Sequence, residues 1–206
     1  MRLDLPGFGG SELPENVWGV GEYADFVGNF CKKLALQPDI LVGHSFGGRV
    51  IIRGMAEKVF TPRKIVLIAS AGLAAERTLK AKLFLVISRL GKIGLFLLPR
   101  AIQENLRRKW YGITGSSDYA NAHNPILKGT FLKAIREDLA SAARSVRVPA
   151  LLVWGKQDMI TPLSEGRRLH TLILGSRLEV IEDAGHFVHQ EKAAEVAKLI
   201  LDFSTV

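Results

Sequence analysis

The chain has 206 residues, 48% of them hydrophobic and 23% charged, a balance that excludes a disordered chain and suffices for one main domain with its own core. The formal net charge is +8, yet residues 71–147 hold 14 Lys and Arg against 5 Asp and Glu while the rest holds 14 against 15, so the excess sits in one segment, which shows no recognisable nucleic-acid-binding module. The single cysteine, Cys31, cannot close an internal disulfide, and the greasiest stretch, 83–98, is broken by Arg89, Lys92 and two glycines, which argues against a membrane span.

In chain order, residues 2–5 alternate weakly as a strand, and the start of the chain lacks the apolar run and cleavage site of a signal peptide. Apolar residues at three- and four-residue spacing predict a helix over 23–36, the branched run at 40–42 a buried strand, and the pattern over 47–59 a second helix. A second buried strand is expected at 65–68. Residues 71–147 then break the alternation with helical patterns punctuated by Gly91, Gly94, Pro99, Gly112, Gly115 and Pro125, and read as an inserted helical cap. The rhythm resumes with a strand at 150–154, a helix over 163–172, a strand at 178–181 and a helix over 190–203. Strands alternating with helices imply an α/β fold, a parallel sheet flanked by helices on both faces, with residues 1–70 and 148–206 as the core.

The chemistry concentrates where the strands end. Directly after the 40–42 strand comes Gly43-His44-Ser45-Phe46-Gly47-Gly48, followed by a helical pattern. This is the context of a nucleophile elbow, a sharp strand-to-helix turn that holds a serine in a strained conformation above the sheet. Side chains two positions before and two after Ser45 are expected to collide with neighbouring elements, which accounts for the glycines. The backbone N–H of Phe46, at the start of the helix, would face a developing oxyanion.

A serine hydroxyl becomes a good nucleophile only when a base takes its proton, so a histidine and an orienting carboxylate should lie on other loops of the same sheet edge. Asp158 follows the 150–154 strand and His186 follows the 178–181 strand, in the order serine, acid, histidine. Asp183 is a rival acid, but it shares the loop of His186 and reads as a brace for that loop. His44, His170 and His189 read as structural, and His123 falls within the cap. No metal-ligand spacing, phosphate-binding loop or dinucleotide fingerprint occurs, so no cofactor and no metal are expected.

These motifs resemble the cap-bearing alpha/beta hydrolases, which include carboxylesterases, carbon-carbon bond hydrolases of ring-cleavage products and proline iminopeptidases. Asp4-Leu5-Pro6-Gly7-Phe8-Gly9-Gly10-Ser11 is similar to the loop after that family's fourth strand, Ser45 to its nucleophile, Asp158 with Thr161-Pro162 to its acid loop and His186 to its histidine. A serine at position 45 sets the chain apart from the dehalogenase and epoxide hydrolase branches, which carry an aspartate there. The family places three further strands, and a loop giving a second oxyanion donor, before the position matched by Asp4. The resemblance therefore implies an N-terminally shortened version of the fold with its second donor unassigned.

It also implies hydrolysis of an ester or similar acyl bond in a small, largely apolar molecule admitted beneath the basic cap. Carbon-carbon cleavage of a dienoate-type substrate remains open, as does a catalytically silent protein of the same fold. Phe84, Leu95, Phe96 and Trp110 of the cap fit core as well as pocket and stay unassigned. The expected setting is the cytoplasm, with a small-molecule substrate, no nucleic acid, no membrane span and at most a weak membrane-surface contact through the basic segment.

Overall fold

In the computed structural model the described residues are 1–73 and 124–205. Four strands form one parallel sheet: β1 (Ile40–His44), β2 (Lys64–Ile68), β3 (Ala150–Gly155) and β4 (Arg177–Ile181). Their order in the sheet follows the chain, with Val42 opposite Val66, Val66 opposite Leu151 and Leu152 opposite Leu178. All six residues of β3 are buried, as a strand covered on both faces requires.

The two-residue repeat of the strands divides the core. Ile65, Leu67, Leu152 and Trp154 point to one face, where they pack with Tyr23, Ile52, Leu139, Leu169 and Ile173 from the helices and their ends. Val66, Ile68, Leu151 and Val153 point to the other, against Val188, Val196, Leu199 and Phe203. The first face is covered by α1 (Val20–Lys33), α2 (Phe46–Ala56), α3 (Pro125–Arg136), α4 (Ala140–Ser145) and α5 (Leu163–Leu172). The second is covered by α6 (Val188–Glu191) and α7 (Ala193–Thr205).

Three sequence expectations change. Residues 2–5 form no strand, because Asp4 spends its polar groups locally: its carboxylate accepts from the Gly10 N–H at 3.1 Å and its carbonyl from the Ser11 hydroxyl at 2.7 Å. The first helix starts at Val20, three residues early, since the Glu22 carboxylate accepts the Gly19 N–H at 2.9 Å in a capping arrangement. The last helix is divided in two between Glu191 and Ala193.

Of the stretch 71–147, residues 74–123 lie outside the described residues, and with them His123, Phe84, Leu95, Phe96 and Trp110. Its described remainder is built into the same unit as the sheet. Asn124 caps α3 by accepting the Ile126 N–H at 2.8 Å, with Pro125 at the first helical position. At the other end of α3 the buried Arg49 of α2 donates to the carbonyls of Ala134 and Glu137, and Arg53 pairs with the Glu137 carboxylate at 3.3 Å. Buried Ala134, Leu139 and Ala143 complete the seam. Among the described residues no helix is long and apolar enough to cross a membrane.

Candidate active site

Ser45 joins β1 to α2 with φ +49° and ψ −107°, backbone angles that an L-residue rarely adopts. Backbone bonds hold it there: its N–H donates to the Ile68 carbonyl at 2.9 Å, and its carbonyl accepts from Gly48 at 3.1 Å and Ala71 at 3.3 Å. The glycines of the elbow have unequal roles. A Cβ at Gly43 would lie 2.6 Å from the Gly47 carbonyl carbon, and one at Gly48 would lie 2.1 Å from the Ser70 hydroxyl oxygen. A Cβ at Gly47 would meet nothing within 4 Å, so the expected collision two residues after the serine falls one residue later, at Gly48.

Phe46 is the first residue of α2, so its N–H has no intrahelical acceptor and the positive end of the helix dipole stands beside the serine. Its ring stacks on Phe8 with centroids 5.6 Å apart and meets Tyr23 edge-on at 5.0 Å. The Tyr23 hydroxyl donates to the Pro6 carbonyl at 3.0 Å, tying the 4–11 loop to the elbow; burial pushes this phenol up to about 12.

The loops after β3 and β4 converge on the same point. Gly155 must lack a side chain, because a Cβ there would lie 2.3 Å from the Gly185 carbonyl oxygen. The Gln157 N–H donates to the Ala184 carbonyl at 2.9 Å, stitching the two loops together. His186 and Asp158 are both buried, at 8% and 4% exposure. The Nε2 of His186 lies 3.0 Å from the Ser45 hydroxyl, and its Nδ1 lies 2.9 Å from Asp158 Oδ2.

Asp158 is itself held on both oxygens. Its Oδ1 accepts the N–H groups of Ile160 and Thr161, each at 2.8 Å, while the Thr161 hydroxyl lies 2.8 Å from Oδ2. Burial alone would raise this carboxyl, but the bonds from His186 and Thr161 outweigh it and hold the group below the usual carboxylate range. The Thr161 oxygen also stands 3.1 Å from the Ala69 carbonyl and 3.2 Å from His186 Nδ1. A hydroxyl has one proton and two lone pairs, so it donates to one of the two acceptor oxygens and can accept from the imidazole N–H.

This arrangement permits proton transfer from Ser45 to His186 Nε2 while Asp158 keeps Nδ1 protonated and steadies the cation that forms. The model of the "Alpha/beta hydrolase family" matches residues 1–199. The chain belongs to the alpha/beta hydrolase family. Among this hydrolase's curated relatives, the uncharacterised hydrolase YugF of Bacillus subtilis is 26% identical, over 98% of this chain and 79% of its own length. Monoacylglycerol lipase ABHD6 of Bos taurus is 29% identical over 84% of this chain, but the match spans only 56% of that relative.

An esterase from Exiguobacterium antarcticum superposes with a TM-score of 0.70 at 20% identity, covering 98% of this chain and 80% of its own. A meta-cleavage product hydrolase, CumD, superposes at 0.68 and 20% identity, covering 98% and 78%. At such identities these two structures speak for the fold.

Of the residues singled out in the sequence, Ser45, Asp158, His186 and the Phe46 backbone meet at one point of this hydrolase. Asp183 stands apart, exposed, with its carboxylate 3.3 Å from the Gln157 amide. His170 is exposed and pairs with Ser176 at 2.9 Å. His44 places its Nε2 2.9 Å from the His186 carbonyl oxygen, a contact with no trace in the sequence. The sequence also passes over the hydrogen bonds of Thr161 and of Glu191, whose carboxylate accepts the Gly185 N–H at 2.7 Å. Thr161 is marked in the sequence as part of the acid loop, and its place three residues after an acid is the spacing at which a carboxylate meets a backbone N–H.

Proposed function

We propose that this hydrolase cleaves an ester or similarly activated acyl bond of a small, largely apolar molecule, with Ser45 as nucleophile, His186 as general base and Asp158 as the group that orients it. The observation that carries this reading is the continuous run of hydrogen bonds from Ser45 through His186 to Asp158. The serine oxygen attacks the carbonyl carbon as its proton passes to His186 Nε2. The oxyanion forms facing the Phe46 N–H, where a single well-placed donor is worth about a hundred- to a thousandfold in turnover. His186 then returns the proton to the departing alcohol, leaving an acyl-serine, and repeats the cycle with water to free the acid and restore Ser45.

Phe8 and Phe187, 45% and 46% exposed, flank Phe46 and His186 and offer apolar surface beside the reacting groups. The naming of ABHD6 as a monoacylglycerol lipase agrees with an ester as the substrate class. The test is hydrolysis of p-nitrophenyl acetate and butyrate by the purified chain and by Ser45→Ala, with circular dichroism on both. Expected is turnover that falls at least about ten-thousandfold in the variant with the fold intact. Equal rates in the two proteins, or a folded wild type that neither turns over nor reacts with a fluorophosphonate at Ser45, would overturn it.

A further inference from the structure

His44 precedes the serine in the elbow, yet no step above uses its side chain. Its ring lies partly buried among the rings of His186, Phe187 and His189, with centroids 4.8, 5.6 and 4.3 Å away. Its Nε2 stands 2.9 Å from the backbone oxygen of His186, across 142 residues of chain. We infer that His44 is a positioning residue for the general base: by donating Nε2–H to the His186 carbonyl it ties the backbone that carries the base to the residue beside the nucleophile. The inference rests on the reading of His186 as that base.

The chemistry of the contact fixes its direction. A carbonyl oxygen only accepts, so His44 must carry a proton on Nε2, and a neutral imidazole has just one. The titratable side chains that face it are His186, His189 and Asp158, and burial, the largest influence, pushes its imidazole down to about 4. At neutral pH His44 is therefore an uncharged donor that does not oppose the positive charge His186 gains during turnover.

The His186 side chain is already fixed at both nitrogens, by Ser45 and Asp158. What those bonds leave free is the main chain beneath the ring. Glu191 holds that main chain one residue earlier, at the Gly185 N–H, and His44 holds it at His186 itself. Because His44 ends β1 and Ser45 follows it directly, the clamp sets the distance between base and nucleophile without touching substrate. A misplacement of about 1 Å at such a distance costs on the order of a hundredfold in rate.

The experiment compares the wild type with His44→Gln, whose amide nitrogen reaches the same carbonyl, and His44→Leu, which fills the space without a donor. Three readouts are taken: kcat and KM on p-nitrophenyl butyrate, the rate of fluorophosphonate labelling, and the downfield proton resonance of the His186 Nδ1–H. In His44→Leu, kcat and labelling are expected to fall about tenfold, KM to stay within about twofold, and the downfield resonance to broaden or vanish; His44→Gln should restore all three.

Wild-type kcat in His44→Leu, or an equal fall in His44→Gln, overturns the inference. If His44→Leu does not fold, His44→Asn, too short to reach the carbonyl, takes its place with the same expectations. If even the wild type turns over no ester, the reading of the reaction fails separately. The resonance then decides alone: loss in His44→Leu with retention in His44→Gln supports the clamp, and retention in both overturns it.

Discussion

The proposed nucleophile and its proposed base are held by different means. Ser45 is placed by backbone alone: a strained turn, its N–H bonded to β2, and two glycines whose missing side chains let the strand, the helix and Ser70 close in. His186 is placed by side chains, with Ser45 and Asp158 on the ring, His44 on its carbonyl and Glu191 on the residue before. A change near Ser45 therefore has to be absorbed by the fold, whereas a change near His186 can alter the rate while leaving the fold standing.

The sharpest way to break this contrast is Asp158→Asn, which keeps the shape of the base's partner and removes its charge. Turnover should fall by about ten-thousandfold with near-native stability, because an amide no longer holds Nδ1 protonated; kcat and thermal unfolding measured together check it. Gly43→Ala attacks the other side. Its methyl group meets the Gly47 backbone at 2.6 Å, so a loss of about 1 to 3 kcal/mol in denaturant unfolding is expected together with slower labelling of Ser45. Stability unchanged in that variant would mean that the elbow is not held by backbone packing.

Thr161→Val is a milder probe of the side-chain network, since it removes one hydroxyl from Asp158 and leaves the backbone bonds to Oδ1. A fall in kcat of about tenfold is expected, with KM little changed. The smallest effect concerns acid. The folded His44 value of about 4 lies below the ordinary 6.5, so the unfolded chain takes up a proton that the folded one refuses. The stability due to this group is complete above about pH 6.5 and is lost as the pH falls towards 4. Over that window, urea midpoints of the wild type should fall more steeply than those of His44→Gln.

The same contrast explains what the sequence made legible. The apolar runs at 40–42, 65–68, 150–154 and 178–181 mark the four strands of the described residues, but only the runs of β2 and β3 are buried throughout; β1 and β4 stand at the ends of the described sheet, with Val42 and Val180 51% and 37% exposed. Ser45, Asp158 and His186 stand out because each follows such a run at the same edge of the sheet. Residues 2–5 mislead because Leu3 and Leu5 alternate as a strand would, and nothing local reveals that Asp4 is committed to Gly10 and Ser11. The contact of His44 with His186 was hidden for another reason: its partner is a backbone oxygen, which every residue type offers equally. Helices α3 and α4 read like the rest of 71–147 because helical spacing shows that a face is apolar but not what it packs against.

The positive φ of Ser45 has a consequence for how this hydrolase responds to selection. A non-glycine residue in such a conformation costs about 1 to 3 kcal/mol, a cost that glycine largely escapes. Ser45→Gly should therefore make the chain harder to unfold while removing the proposed nucleophile. Screening variants for thermal resistance alone would then select against the proposed nucleophile.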